Sequence, residues 1–285
     1  MCDHCVIDTV KQKMLDRRGV LSAAVAVGAA GSLGALSQKA KAGKREGHRR
    51  HKHGRHSDAL DMTHELHPDF PTFSGSPQFS ITPLATYAQQ KYNVNSWSVN
   101  EHTGTHLDAP LHFSSDGQSV AEVPVDRLVT PLVVIDIRER AAADPDTRLT
   151  PDDINQWRDR HGELPRGCCV AMLSGWDRHV NSATFRNADD AGTMHFPGFH
   201  LEACQMLIED GSAVGLAVDT LSLDHGPSPD FACHYAWLPT NRWGLECVAN
   251  LADLPEDGAT LVVGAPKVRG GSGGPSRAIA LYKDH

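Results

Sequence analysis

The stretch Val129-Thr-Pro-Leu-Val-Val-Ile-Asp-Ile137 is a short apolar run dominated by β-branched residues. It is too brief for a typical helix, and its composition matches the pleated, packed surface of a buried strand. Three more runs share that character: Cys168-Cys-Val-Ala-Met-Leu173, Ala213-Val-Gly-Leu-Ala-Val-Asp219 and Thr260-Leu-Val-Val-Gly264. Helical patterns lie between them. Thr150-Pro-Asp-Asp153 supplies a cap residue, a proline at the first helical position and two acids in the first turn, ahead of Ile154 and Trp157. A second helix is predicted from Leu201 to Glu209, with Leu201, Cys204 and Leu207 on one face and Gly211 as its stop. Strands interleaved with helices imply an α/β layer protein with a central mixed sheet. Residues 63–113 are richer in Pro, Ser, Thr and Gly, and read as shorter strands and loops.

Outward from this core the character of the chain changes. Residues 1–57 hold 12 of the 27 Lys and Arg but 4 of the 35 Asp and Glu. The folded part, residues 58–285, is therefore acidic, which argues against nucleic-acid binding by that part. Arg17-Arg18 precede an Ala/Gly/Val-rich run from Gly19 to Leu36 and an Ala40-Lys-Ala42 site. A charged segment, an apolar stretch and an Ala-x-Ala site mark an export signal, and the paired arginines indicate the twin-arginine route. The competing reading is an uncleaved anchor, but the run lacks the Leu, Ile and Phe density that favours hydrocarbon insertion. Residues 1–42 are thus expected to be a twin-arginine-type signal directing export to the periplasm or beyond, leaving no stable membrane span after processing. Residues 43–57 contain GKREGHRRHKHGRH, with no apolar side chain to bury, and are expected to be a His- and Arg-rich disordered linker. Residues 58–285 form the expected single domain.

Cys2 and Cys5 would leave with the signal. Of the others, Cys168, Cys169, Cys204, Cys233 and Cys247 are odd in number, and several have apolar neighbours. Buried free thiols are expected rather than a disulfide framework.

His102-Thr-Gly-Thr-His-Leu-Asp-Ala-Pro-Leu-His-Phe113 carries the chemistry. His102, His106 and Asp108 offer two imidazole nitrogens and a carboxylate, a ligand set that Zn²⁺ or Mn²⁺ accepts. Gly104 and Pro110 break any continuous helix, so the segment is a shaped loop or strand end on which ligands can converge. Each histidine alone is more often structural. Four potential ligands among small residues favour a metal site. Farther along, His234 and Glu246 stand twelve residues apart, and Glu246 sits in the apolar segment Leu245-Glu-Cys-Val-Ala249. A buried carboxylate needs a cation, a metal or donors, so this pair is either a ligand pair or a structural ion pair.

The 102–113 segment resembles the H-x-G-T-H-x-D-x-P-x-H-F signature of the "cyclase" family of metal hydrolases, which includes bacterial kynurenine formamidase and isatin hydrolase. Asp61-Met-Thr-His-Glu-Leu-His-Pro-Asp-Phe-Pro71, Ser174-Gly-Trp176, Phe196-Pro-Gly198, Gly215-Leu-Ala-Val-Asp-Thr220 and Pro266–Arg277 extend the resemblance over nearly all of residues 58–281. The resemblance implies a swivelling β/α/β fold and a homodimer or larger homo-oligomer in which one subunit's loops help close its neighbour's site. It implies one or two divalent ions (Zn or Mn) per subunit. His102, His106 and Asp108 would hold the first, and Asp108, His234 and Glu246 a second. His112 would transfer protons. Phe73 stands where the formamidase branch has a substrate-contacting Trp, so the aromatic contact is kept and the substrate left open.

The expected reaction is hydrolysis of an amide, formamide or lactam C–N bond in a small molecule by metal-activated water. A histidine suits the proton transfer because its ordinary pKa lies near neutrality, and His64 or His67 would be the substitutes if His112 proved a ligand. Three other readings compete. Gly270-Gly-Ser-Gly-Gly274 fits G-x-S-x-G literally, but a nucleophile elbow needs a following helix and a later acid and histidine, and the only later histidine here is His285. A non-catalytic metal-binding protein would account for the His-rich linker but not for His112 or Glu246. A lactonase or dehydratase could use the same metal site.

Overall fold

The computed structural model describes residues 58–283. The expected export signal (1–42) and linker (43–57) lie outside them. Thirteen strands are present among the described residues: β1 Asp58–Asp61, β2 Phe79–Ala85, β3 Val94–Val99, β4 His106–Asp108, β5 Val129–Asp136, β6 Arg148–Leu149 and β7 Cys168–Leu173. They continue with β8 Gly198–Phe199, β9 Ala213–Val218, β10 Trp243–Glu246, β11 Ala259–Gly264, β12 Gly273–Pro275 and β13 Arg277–Tyr282.

Nine of them form one mixed sheet in the order β1-β13-β11-β5-β7-β9-β10-β4-β12. Its centre, from β5 to β10, is parallel, and both flanks are antiparallel. The parallel strand β7 is buried at every position, which is why it reads as an unbroken apolar run. Along β5 the faces alternate with the pleat: Val133 and Ile135 join one core cluster, Leu132 and Val134 the other. Only Ser276 separates β12 from β13 in the chain, yet the two strands lie at opposite ends of the sheet order. The sheet must therefore curl until its margins meet, and Leu107 of β4 shares a core cluster with Ala278 and Ala280 of β13.

Five helices are present among the described residues. They are α1 Tyr87–Gln90, α2 Arg138–Ala143, α3 Pro151–His161, α4 Leu201–Asp210 and α5 Ala232–Trp237. At the start of α3 the Asp153 carboxylate accepts from the Thr150 N–H and hydroxyl (2.8 and 2.9 Å) and pairs with Arg140 at 2.6 Å. Ile154 and Trp157 are buried in the helix–sheet core, each worth roughly 1.5–3 kcal/mol of transfer free energy. Gly211, at φ 74°, ends α4 in the left-handed conformation that glycine adopts without strain. The five cysteines named above are buried free thiols. No helix among the described residues is long and apolar enough to cross a membrane.

Candidate metal centre

β4 carries His106 and Asp108 into the heart of the site. Gly104, at φ +72°, turns the chain just before it, and a Cβ there would meet Leu66 at 3.0 Å. Antiparallel pairing sets Glu246 of β10 directly opposite His106. His234 arrives from α5, and His112 from a 3₁₀ turn at Pro110–Phe113. Within these elements His102, His106 and Asp108 form one group of potential ligand atoms, and Asp108, His234 and Glu246 a second, all within 4.8 Å of one another in each group.

Hydrogen bonding on the outer side of each ring determines what the inner side offers. His106 Nδ1 donates to the Gly104 carbonyl at 2.8 Å, which turns Nε2 inward, 3.3 Å from both Asp108 Oδ1 and Glu246 Oε2. His234 Nδ1 donates to Asp224 Oδ2 at 2.6 Å, and its Nε2 faces Glu246 Oε1 at 3.1 Å and Asp108 Oδ2 at 3.5 Å. His102 Nδ1 stands 2.6 Å from Asp108 Oδ1. Outer nitrogens tied to acceptors and inner nitrogens turned toward carboxylates are the usual preparation of histidines for a metal.

The charge balance agrees with that preparation. Burial alone would lower the His106 imidazole, but Asp108 and Glu246 raise it to about 10. His234 is likewise raised against its burial by Asp108, Asp224 and Glu246. Burial would raise Asp108, but the imidazoles of His102, His106 and His234 gathered around it hold it well below the carboxylate range. The pocket is a strongly negative place that calls for positive charge. His106 Nε2 and Asp108 Oδ2 are buried and have no hydrogen-bond partner among the described residues. Donor types, burial and these two orphaned atoms all fit a divalent cation.

His112 differs from the other three. Its ring stacks on His102 (centroids 3.7 Å apart, planes at 19°), and burial, outweighing the opposing pull of Asp108 and Glu246, lowers it to about 4. The ordinary near-neutral value expected from sequence is thus replaced by a lower one, and the ring is neutral at pH 7. His64 and His67 pack against Phe70 instead of lining the cavity, which removes them as substitutes.

A cavity of about 270 Å³ opens over this group. Phe73, expected from sequence to touch substrate, stands on its wall, half-exposed and 5.6 Å from Phe231. Phe113 and Phe231 complete an aromatic side, their centroids 5.7 Å apart. Phe231 and Cys247 both line the cavity with positive φ (52° and 54°), strained for residues bearing a side chain. Sequence reasoning missed Phe231, Asp224 and the partners of His102 Nε2. A histidine ten residues after an aspartate carries no periodic signal, and only the folded loop brings Asp224 back to His234.

Comparison with known proteins follows the same outline. A family model described as putative cyclase matches residues 60–225. Isatin hydrolase of Roseibium aggregatum is 36% identical over 229 residues, covering 76% of this chain and 85% of that protein. Kynurenine formamidase of Paracidovorax citrulli is 36% identical over 228 residues, covering 77% and 94%. A crystal structure of an isatin hydrolase bound to the product analogue thioisatinate superposes with a TM-score of 0.75 at 33% identity, covering 80% of this chain and 94% of the other.

Proposed function

This chain belongs to the putative cyclase family, and from that premise we propose that it is a metal-dependent hydrolase cleaving an amide, formamide or lactam C–N bond of a small aromatic substrate. The observation that carries the reading is the convergence of three imidazoles and two carboxylates at the floor of an aromatic-walled cavity. One cation would lie on His102, His106 and Asp108, and a second would share Asp108 with His234 and Glu246. Zn²⁺ and Mn²⁺ both suit this nitrogen and oxygen set. When bound, such a cation supplies Lewis acidity, making water acidic near neutral pH and drawing charge from a carbonyl oxygen.

The rest of the chemistry falls to the protein. His112, neutral and buried beside His102, takes a proton as the C–O bond forms and returns it to the leaving nitrogen as the C–N bond breaks. Phe73, Phe113 and Phe231 hold the ring of the substrate against one wall, stacking being worth roughly 0.5–1.5 kcal/mol per aromatic pair beyond burial. A non-catalytic metal carrier would need neither His112 nor this wall.

Two further readings belong to the same proposal. The chain acts as a homodimer or larger homo-oligomer through the β2–β3 hairpin, which exposes Ile81, Leu84, Val94, Trp97 and Val99. Contiguous exposed apolar surface of this kind marks an interaction site. The hairpin grows from the cavity rim, where Gln78 precedes β2, so a partner seated on it would border the cavity. Residues 1–42 act as a twin-arginine signal for export, a route that carries folded proteins and suits one loaded with metal before it leaves.

Turnover of an aryl formamide and of isatin, measured before chelation, after it and after return of Zn²⁺ or Mn²⁺, tests the main reading. Activity that follows metal content supports it. Stoichiometric metal with no turnover of any amide, formamide or lactam overturns it in favour of metal binding alone.

A further inference from the structure

The Gly270–Gly274 stretch has no place as a nucleophile elbow, because strands, not a helix, follow it. Its position in the fold gives it another use. β12 pairs antiparallel to β4 with Gly273 opposite Asp108, and the Ala109 N–H donates to the Ser272 carbonyl at 2.8 Å. This ladder holds Ser272 against His102 from far along the chain. A side chain on either neighbour would displace an atom of this group. A Cβ at Gly271 would lie 2.8 Å from Glu101 Oε1, and one at Gly273 would lie 2.3 Å from the Leu107 carbonyl and 2.8 Å from His102 Cε1.

Ser272 Oγ donates to Glu101 Oε2 at 2.5 Å, and its backbone N–H donates to the same carboxylate at 3.1 Å. A carboxylate only accepts, so the single hydroxyl proton is committed to Glu101. The lone pairs of Ser272 Oγ are what remain for His102 Nε2, 3.0 Å away. Two lone pairs cannot bond, so Nε2 must carry a proton, and in the neutral ring Nδ1 is then the lone pair beside Asp108 Oδ1 at 2.6 Å. That approach of two acceptors is favourable only around a shared positive charge.

We propose that Glu101 and Ser272 are positioning residues that lock His102 in its Nε2–H tautomer and so present Nδ1 as a metal ligand. The inference rests on the assignment of His102 as a ligand made above. Ser272 and Glu101 touch neither substrate nor metal in this scheme. They act through one imidazole, as partners of metal-bound histidines commonly do.

The test is Zn²⁺ affinity of the full-length protein, by competition with a chromophoric chelator, with the Co²⁺ absorption spectrum and thermal melting recorded alongside. His102→Ala comes first, since it must weaken binding if the ligand assignment holds; unchanged affinity there overturns both that assignment and this proposal. Ser272→Ala and Glu101→Gln are then each expected to weaken Zn²⁺ binding by about 10–100-fold and to alter the Co²⁺ spectrum. Glu101→Gln is the sharper of the two. Its amide can donate to Ser272 Oγ, freeing the hydroxyl proton to face Nε2 and favouring the wrong tautomer with no change of shape. The double variant is expected to be no worse than Ser272→Ala, because the two residues form one chain. Ser272→Thr, which restores the hydroxyl, is expected to recover most of the affinity. Wild-type affinity and spectrum in both Ser272→Ala and Glu101→Gln, with His102→Ala impaired, would overturn the proposal while leaving the metal site standing. Loss that follows lowered melting temperature alone, without rescue by Thr, would overturn it too.

Discussion

His112 lies face to face with His102, the ring centroids 3.7 Å apart, yet only His102 turns a nitrogen onto Asp108. Stacking brings the fourth histidine to the reacting region without adding it to the ligand groups. His112→Ala is therefore expected to keep most of its metal and to lose about 10²–10⁴-fold in activity, mainly in kcat. Burial lowers the imidazole to about 4, so the neutral form that accepts a proton persists well below pH 6.5. The acid limb of the wild-type pH–rate profile is expected at correspondingly low pH, over the range where metal content is constant, and to vanish in the variant. An emptied site in His112→Ala, found by elemental analysis, would make His112 a ligand instead.

Asp108 belongs to both ligand groups, is fully buried and has one oxygen without a hydrogen-bond partner among the described residues. Asp108→Ala is expected to abolish metal retention and activity together. Added Zn²⁺ or Mn²⁺ is expected to raise the melting temperature of the wild type and not of the variant, since only a species that binds the native state stabilises it. Unchanged metal per subunit in Asp108→Ala would sink the assignment.

Trp97 on the β2–β3 hairpin is 68% exposed and Leu84 65%. Large apolar side chains held in water on an arm of this kind are expected to be covered by a second copy. Light scattering of the wild type is expected to give a dimer or larger species, and Trp97→Ser with Leu84→Ser to shift it toward monomer. A wild type that is monomeric at every concentration would remove the hairpin as a contact.

Asp153 supplies a stability test away from the site. Burial would raise its carboxyl, but Arg140 and the Thr150 donors hold it below its ordinary value. A carboxyl depressed by folding contributes stability above its unfolded pKa, near 3.9, and loses it as pH falls through the folded one. Asp153→Asn is expected to cost roughly 1–2 kcal/mol at pH 7, or about 2–8 °C in melting temperature. The gap to wild type is expected to narrow as pH drops below about 4. Thermal melts across pH decide it, and a gap that widens on acidification would contradict the pairing.

Export makes a mass-spectrometric prediction. With Arg17-Arg18, an apolar run and Ala40-Lys-Ala42 in order, the exported chain is expected to begin near Gly43. An intact Met1 on membrane-bound protein would refute cleavage.

Local sequence was enough for whatever depends on neighbouring residues. The four apolar runs became β5, β7, β9 and β11, and the caps at Thr150 and Gly211 bound α3 and α4, because strand and helix signals are carried by residues one to four positions apart. The 102–113 segment announced its histidines for the same reason. Only the tertiary structure decided how distant groups meet. Glu246 reaches His106 because β10 and β4 pair in that register, and Gly273 comes to Asp108 because β12 pairs on the other side of β4. A slip of one residue in either pairing would turn the partner to the opposite face of the sheet, and no local pattern records that choice. The lowered pKa of His112 belongs to the same class, since burial under Phe113 and against His102 is a property of the folded cavity and not of the histidine.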